Sequence, residues 1–323
     1  MKARVLLTGS SGFIGNSLID RLDEYDLSLL NRTLKTSVTD EHRVFRKEIN
    51  SAGDYRSALL GCNYVIHCAA RVHVMNGRGA DSLEQYRDIN TLGTINLARQ
   101  ASASGVKRFI FISSVKVNGE STSNRNPFTE SDIRAASDFY GQSKSEAEEL
   151  LLELAEETGL EIVIIRPTLV YGPGVKANFS ALMKVVSKGF PLPFGCINTN
   201  LRSLVSVDNL VDLIITCIKH PKASNQVFLV SDDHDVSTLG MVQEMAKALG
   251  RKNWQIPVPI WCFKVLGKLL NKESSVDRLV GSLQVDISHT KETLNWYPPQ
   301  TLSEGFEKTA NWFLKSKLQD TKK

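Results

Sequence analysis

The sequence predicts an α/β protein in which a doubly wound parallel sheet, covered by helices on both faces, is followed by a smaller C-terminal lobe. Three observations predict it. Short, nearly unbroken apolar runs recur through the first two thirds of the chain, helix-like stretches separate them, and a glycine-rich turn joins the first run to the first helix. Apolar strands without polar alternation are buried on both faces, and strands alternating with helices are parallel. A chain of 323 residues is long enough for such a sheet domain and an appendage.

The first strand, Val5-Leu6-Leu7, runs into Thr8-Gly9-Ser10-Ser11-Gly12-Phe13-Ile14-Gly15. Gly9 permits a tight turn, Gly12 lets backbone amides approach a pyrophosphate, and Gly15 lets the helix over 13–22 pack closely on the sheet. The helix start offers N–H groups and the positive end of its dipole to phosphates. A glycine triplet in this strand-to-helix context marks a dinucleotide site, placing Gly9, Ser11, Gly12, Phe13, Ile14 and Gly15 around the cofactor. The second run, 27–30, ends at Asn31-Arg32. An acid there would bind the ribose hydroxyls of NAD, whereas a guanidinium can pair with the 2′-phosphate of NADP. NADP therefore stands slightly ahead of NAD; the plain alternative is a solvated loop arginine.

The third run, 64–66, leads to His67-Cys68-Ala69-Ala70, and a helical pattern over 81–104 carries Asn90-Thr91-Leu92-Gly93-Thr94. The run 109–112 ends in Ser113-Ser114, at the carboxyl edge where open α/β sheets bind ligands. Tyr140 and Lys144 stand four residues apart at the head of a helix covering 143–158, so both side chains lie on one face. A free phenol titrates near pH 10, and a neighbouring ammonium favours its ionised form, which makes the pair suited to moving a proton beside a hydride carrier. Alone, this spacing is common on solvated helices; Ser113-Ser114 upstream changes the reading, because a hydroxyl there can bind the substrate oxygen. After the run 162–165 and Arg166-Pro167, prolines and glycines cluster and the alternation loosens. The sheet domain is therefore expected over 1–170, with later strands such as 226–230 free to return to it, and the lobe over 171–323, ending in a helix over 303–315.

Together these motifs resemble the extended short-chain dehydrogenase/reductase family, the NAD(P)-dependent nucleotide-sugar epimerases and dehydratases built on a Rossmann-type sheet. The resemblance is carried by Thr8 to Gly15, His67 to Ala70, Asn90 to Thr94, Ser113-Ser114, Tyr140 with Lys144, and Arg166 to Gly174, in that order along the chain. It implies Ser114, Tyr140 and Lys144 as catalytic residues, with Ser113 in reserve. It adds Glu48, Ile49, Cys68, Ala69, Ala70, Asn90, Lys144 and Pro167 to the cofactor contacts. It implies substrate contacts by Val74, Ser114, Asn178, Phe179, Arg202 and Arg278, the two arginines facing a diphosphate. The family's dehydratases carry Asp-Glu just after the catalytic hydroxyl, where this chain has Val115-Lys116, so 4,6-dehydration is not expected. Similarity extends to UDP-hexose 4-epimerases and to 4-reductases of UDP-4-keto-6-deoxy-N-acetylhexosamines in bacterial surface-polysaccharide synthesis. Arg32 favours reduction with NADPH; 4-epimerisation with tightly bound NAD is the close alternative, and a non-catalytic NADP-binding regulator is the reading from another class.

Composition excludes several other classes. The net charge of +4 is slight and its cations are scattered, giving no case for nucleic acid. Five cysteines, at 62, 68, 196, 217 and 262, have no Cys-x-x-Cys spacing, so neither a disulfide framework nor a metal site is expected. No apolar run is long enough for a signal peptide or a membrane span, and the chain is expected to be cytoplasmic with no membrane partner. A homodimer is implied by the resemblance alone. His67 and His73 are read as pocket wall or core. Trp261, Phe263, Val265, Leu266, Leu269 and Leu270, within 260–271, are read as core in preference to a membrane anchor.

Overall fold

The computed structural model describes residues 2–33, 42–72 and 82–320. Its main sheet has seven parallel strands in the order β3-β2-β1-β4-β5-β6-β9. These are β1 (Arg4–Thr8), β2 (Asp26–Asn31), β3 (Arg43–Arg46), β4 (Tyr64–His67), β5 (Arg108–Ile112), β6 (Glu161–Pro167) and β9 (Gln226–Val230). Successive side chains alternate between two cores. Val5, Leu7, Ile110, Ile112, Val163 and Ile165 face one; Leu6, Phe109, Phe111, Ile162 and Ile164 face the other. Both faces are buried, which is why the strands read as continuous apolar runs. The first core is closed by α1 (Phe13–Ile19), α7 (Val207–Lys219) and α11 (Ser288–Leu294), the second by α2 (Arg56–Leu59), α4 (Gly93–Ala103) and α5 (Phe139–Thr158). Strand order reverses between β1 and β4, where Thr8 stands beside His67, and a crevice opens at their carboxyl ends.

The helical pattern over 81–104 resolves into α3 (Leu83–Tyr86), a π-helical turn over Arg87–Leu92, and α4. Hydrogen bonding explains the widened turn. The Thr94 hydroxyl donates to the Asn90 carbonyl (2.7 Å), and the buried Asn90 amide bonds the Arg71 backbone on both its N–H and its C=O. Helix α5 begins earlier than expected, because Asp138 caps it by accepting from the Gly141 N–H at 2.7 Å.

The second, three-stranded sheet has the order β10-β8-β7, with β7 (Leu169–Tyr171), β8 (Arg202–Ser206) and β10 (Asp235–Val236). With α6 (Ala177–Val186), α8 (Thr238–Ala248) and α12 (Leu302–Asp320) it encloses a third core around Tyr171, Phe179, Met183, Met245, Phe306 and Phe313. Helices α9 (Ile260–Leu269) and α10 (Glu273–Val280) form a hairpin beside it. Here the structure corrects the expectation that the apolar residues over 260–271 are core. Only a narrow stripe of α9 is covered, with Phe263 stacked on Phe194 and Gly267 against Val276; Trp261, Val265, Leu266, Leu269 and Leu270 are exposed. Among the described residues no helix is long and apolar enough to cross a membrane.

Candidate active site

The crevice between β1 and β4 is bounded by the glycine turn. Gly9 has φ +69°, and a Cβ added there would meet the Ala69 nitrogen at 2.7 Å; one on Gly15 would lie 2.3 Å from the Gly9 carbonyl oxygen. Both positions therefore exclude a side chain and keep open a backbone cradle of the kind a pyrophosphate needs. A cavity of about 310 Å³ continues outward, lined by Gly9, Ser11, Gly12, Asn31, Arg32, Glu48, Ile49, Cys68, Ala69 and Ala70. These residues fit a dinucleotide, and ten of the expected cofactor contacts thus meet in one cleft. Phe13, Ile14 and Gly15 form the first turn of α1 beneath it, where no side chain caps the helix. Pro167 is buried at the end of β6. Val74 and His73 lie outside the described residues.

The end of β2 differs from its expected use. The Asn31 amide is turned back onto the turn, donating to the Ser10 hydroxyl and accepting from the Ser11 N–H. The Arg32 guanidinium lies 3.8 Å from the Glu48 carboxylate, both well exposed. An acid beside the arginine opposes a 2′-phosphate at this place.

At the carboxyl edge of β5 the two serines part company. Ser113 is buried, and its hydroxyl donates to Glu148 at 2.5 Å. Glu148 itself accepts three hydrogen bonds from Arg166, at 2.6, 3.0 and 3.2 Å, inside a network that reaches Asn118. Ser114 is half-buried, and its Oγ accepts only a long bond from the Lys116 N–H, 3.2 Å. It is the hydroxyl left available at this edge. Val115 is buried, and Lys116 pairs with Asp138 and, at 3.3 Å, with Glu120.

Lys144 is buried, donates to the Ile112 carbonyl at 2.8 Å and sits over the Phe111 ring at 4.2 Å. Burial lowers its pKa to about 7, against smaller opposing influences of Cys68 and Glu148. Burial, with Asp138, holds the Tyr140 hydroxyl above its ordinary range. The expected lowering of the phenol by the Lys144 ammonium is thus not found, since burial and Asp138 both act in the raising direction. The Cys68 thiol is pushed up to about 12 by burial, which keeps it protonated and not nucleophilic.

Behind the cleft runs a polar chain that sequence reasoning did not assemble. His67 Nδ1 lies 2.7 Å from the Thr8 hydroxyl, and Nε2 lies 3.0 Å from Thr94 Oγ1. Thr94 gives its only hydroxyl proton to the Asn90 carbonyl, so Nε2 must carry the imidazole proton and Nδ1 must accept from Thr8. Asn90 passes the chain on to Ser143 Oγ at 3.0 Å, in the helix that carries Tyr140 and Lys144. Burial, then Lys144, lowers the His67 pKa to about 3.

On the lobe side, Arg202 donates to the Arg278 carbonyl at 2.7 Å, and its own pKa is lowered by burial and by the nearby Arg278 charge. Neither guanidinium has a carboxylate partner among the described residues. The two guanidiniums concentrate positive charge on this side of the lobe. Asn178 is exposed in the first turn of α6, whereas the Phe179 ring is packed on Tyr171 at 5.4 Å in the lobe core. Among the described residues no group of three or more His, Cys, Asp or Glu side chains could hold a metal.

A family model described as the NAD dependent epimerase/dehydratase family matches residues 5–231. A "UDP-glucose 4-epimerase" of Vibrio cholerae is 58% identical over 98% of this chain and 97% of its own length. An "N-acetyl-alpha-D-glucosaminyl-diphospho-ditrans,octacis-undecaprenol 4-epimerase" of Escherichia coli O157:H7 is 29% identical over 99% of this chain and 98% of its own. Among solved structures, a UDP-glucose 4-epimerase of Thermotoga maritima with UDP-glucose superposes with a TM-score of 0.77 at 24% identity, covering 97% of this chain and 99% of that one, a likeness of fold.

Proposed function

The chain belongs to the NAD dependent epimerase/dehydratase family, and from that premise we propose that it is an NAD-dependent 4-epimerase of a UDP-hexose or UDP-N-acetylhexosamine. The observation that carries the reading is the open glycine cradle at the carboxyl end of β1, with Lys144 of α5 anchored on the last carbonyl of β5, just before Ser114 in the chain. Epimerisation replaces the reduction with NADPH that Arg32 favoured in the sequence. Two things support the change: the Vibrio cholerae relative, and the Glu48 carboxylate standing beside Arg32.

NAD in the cleft would supply a reversible hydride acceptor for carbon 4 of the sugar. Tyr140 takes the proton of the C4 hydroxyl and later returns it. Ser114 Oγ, weakly engaged by Lys116, orients the same oxygen. Lys144, fixed on the Ile112 carbonyl, would hold a ribose hydroxyl of the cofactor. Arg202 and Arg278 would bind the diphosphate, and Asn178 the nucleotide. The homodimer belongs to the same proposal, and sedimentation velocity reads it directly.

A second reading follows from the arginine pair. A diphosphate is common to a UDP-sugar and to a sugar on a polyprenol carrier, which the name of the Escherichia coli relative describes. The test is to release and identify any bound cofactor. UDP-glucose, UDP-N-acetylglucosamine, the polyprenyl-diphosphate sugar and a 4-keto-6-deoxy UDP-sugar are then assayed with and without NADPH. Bound NAD with interconversion of C4 epimers is expected. NADPH oxidation seen with the keto sugar alone would overturn epimerisation, and absence of turnover with every substrate would overturn the enzymatic reading.

A further inference from the structure

We infer that the exposed face of α9 docks this protein on an anionic lipid bilayer, with the helix lying in the plane of the surface. Three observations converge on it. Trp261 (66% exposed), Val265, Leu266, Leu269 (74%) and Leu270 lie exposed on one helix, and Trp254 and Ile256 of the preceding segment are exposed as well. A contiguous set of large apolar side chains in water marks an interaction surface, unlike scattered single ones.

The second observation is charge. From Arg251 to Lys272 the chain holds five cations (Arg251, Lys252, Lys264, Lys268 and Lys272) and no Asp or Glu. Among the described residues none of the five forms an ion pair. At helical spacing Lys264 and Lys268 flank the side of the Trp261–Val265–Leu269 stripe opposite Leu266 and Leu270. Lysines beside a face of tryptophan and leucine suit an interface whose interior is apolar and whose headgroups are anionic. A second copy of the chain is a poor occupant, because a two-fold contact would oppose five unneutralised cations with the same five.

The third is position. The hairpin of α9 and α10 is tied at its far end to the candidate diphosphate site: Arg202 donates to the carbonyls of Arg278 and Gly281, and Asn200 donates to that of Gly281. A helix resting on a bilayer would therefore hold the segment that carries Arg278 close to the membrane surface. Docking is independent of whether the sugar carrier is uridine or a polyprenol.

The experiment mixes the full chain with vesicles of phosphatidylcholine, with or without phosphatidylglycerol. Sedimentation with the anionic vesicles, weakened by salt, is expected, together with a blue shift of tryptophan emission. The Trp261→Ser/Leu269→Ser double variant should lose at least about tenfold in partitioning, by removal of apolar area from the contact. Lys264→Glu/Lys268→Glu should lose the preference for anionic lipid, while both variants keep the turnover and the thermal transition of the parent. Failure of the parent to bind anionic vesicles at low salt would overturn docking, as would equal binding by either variant. A changed sedimentation coefficient in the serine variant would assign the face to another copy of the chain. Vesicle binding and sugar turnover are separate readouts, so loss of one proposal leaves the other standing.

Discussion

Tyr140 and His67 show how single residues are set by what surrounds them. Replacing Tyr140 by Phe removes the proton carrier and little else, so turnover should fall about 100- to 10,000-fold with an unchanged melting curve. Ser114→Ala should cost less, and Ser113→Ala should instead lower stability, because its hydroxyl serves buried Glu148. His67 gives a pH prediction. Its imidazole is held neutral in the fold, its pKa lowered to about 3 from an ordinary 6.5. As pH falls below about 6.5 the unfolded chain takes up a proton that the folded chain refuses, so this residue's share of stability is intact above 6.5 and drains away toward 3. Between pH 7 and pH 5 the loss is about 2 kcal/mol. Urea midpoints at the two pH values should therefore draw together in His67→Asn; an equal pH effect in parent and variant would refute the linkage. Residue identities at this edge were legible in sequence because a strand end and a helix start carry them in a fixed order. Their partners were not. Glu48 meets Arg32 only because β2 and β3 pair at Asn31 and Arg46, a registration that linear spacing does not display.

Elements were legible in proportion to how fully they are buried. The strands of the main sheet stood out because both faces are covered; the π turn at Arg87–Leu92 did not, because its cause is a set of bonds from Asn90 to residues 19 and 53 positions away. Helix α9 reads by composition as core, and it is surface because no element among the described residues covers its outer face. Two element junctions carry predictions. Gly15→Ala places a methyl 2.3 Å from the Gly9 oxygen, forcing α1 off the turn. It should destabilise by about 1–3 kcal/mol and release cofactor on gel filtration. The Glu148–Arg166 pair bridges α5 and β6 with both side chains buried. Glu148→Gln leaves the guanidinium without its counter-charge and should cost about 3–5 kcal/mol in urea unfolding.

On the scale of the molecule, the two parts of the chain share a core. Residues 1–170 supply six of the seven main strands, but β9 flanks β6 and α7 covers the face below it. Val205, Leu210, Leu213, Ile214, Phe228 and Trp296 are packed in the same cluster as Val5, Leu7, Ile110 and Val163. A fragment ending at residue 170 would expose that cluster and leave the Val163–Pro167 edge of β6 unpaired. An unpaired apolar edge invites association, and the lost apolar burial exceeds what a domain of this size can spare. The fragment should therefore aggregate or give no cooperative melt, while the intact chain unfolds in a single transition monitored by both circular dichroism and tryptophan emission. Trp296 is buried in the sheet core although it lies late in the chain, so its emission reports on that shared packing. Emission and dichroism that melt at separate temperatures would show two independent units, and the sharing of one core would then carry no thermodynamic weight. If they coincide, the proposed substrate site, with Tyr140 on one side and Arg202 on the other, sits across a junction that unfolds only as a whole. Its geometry would then be held by the stability of the entire chain.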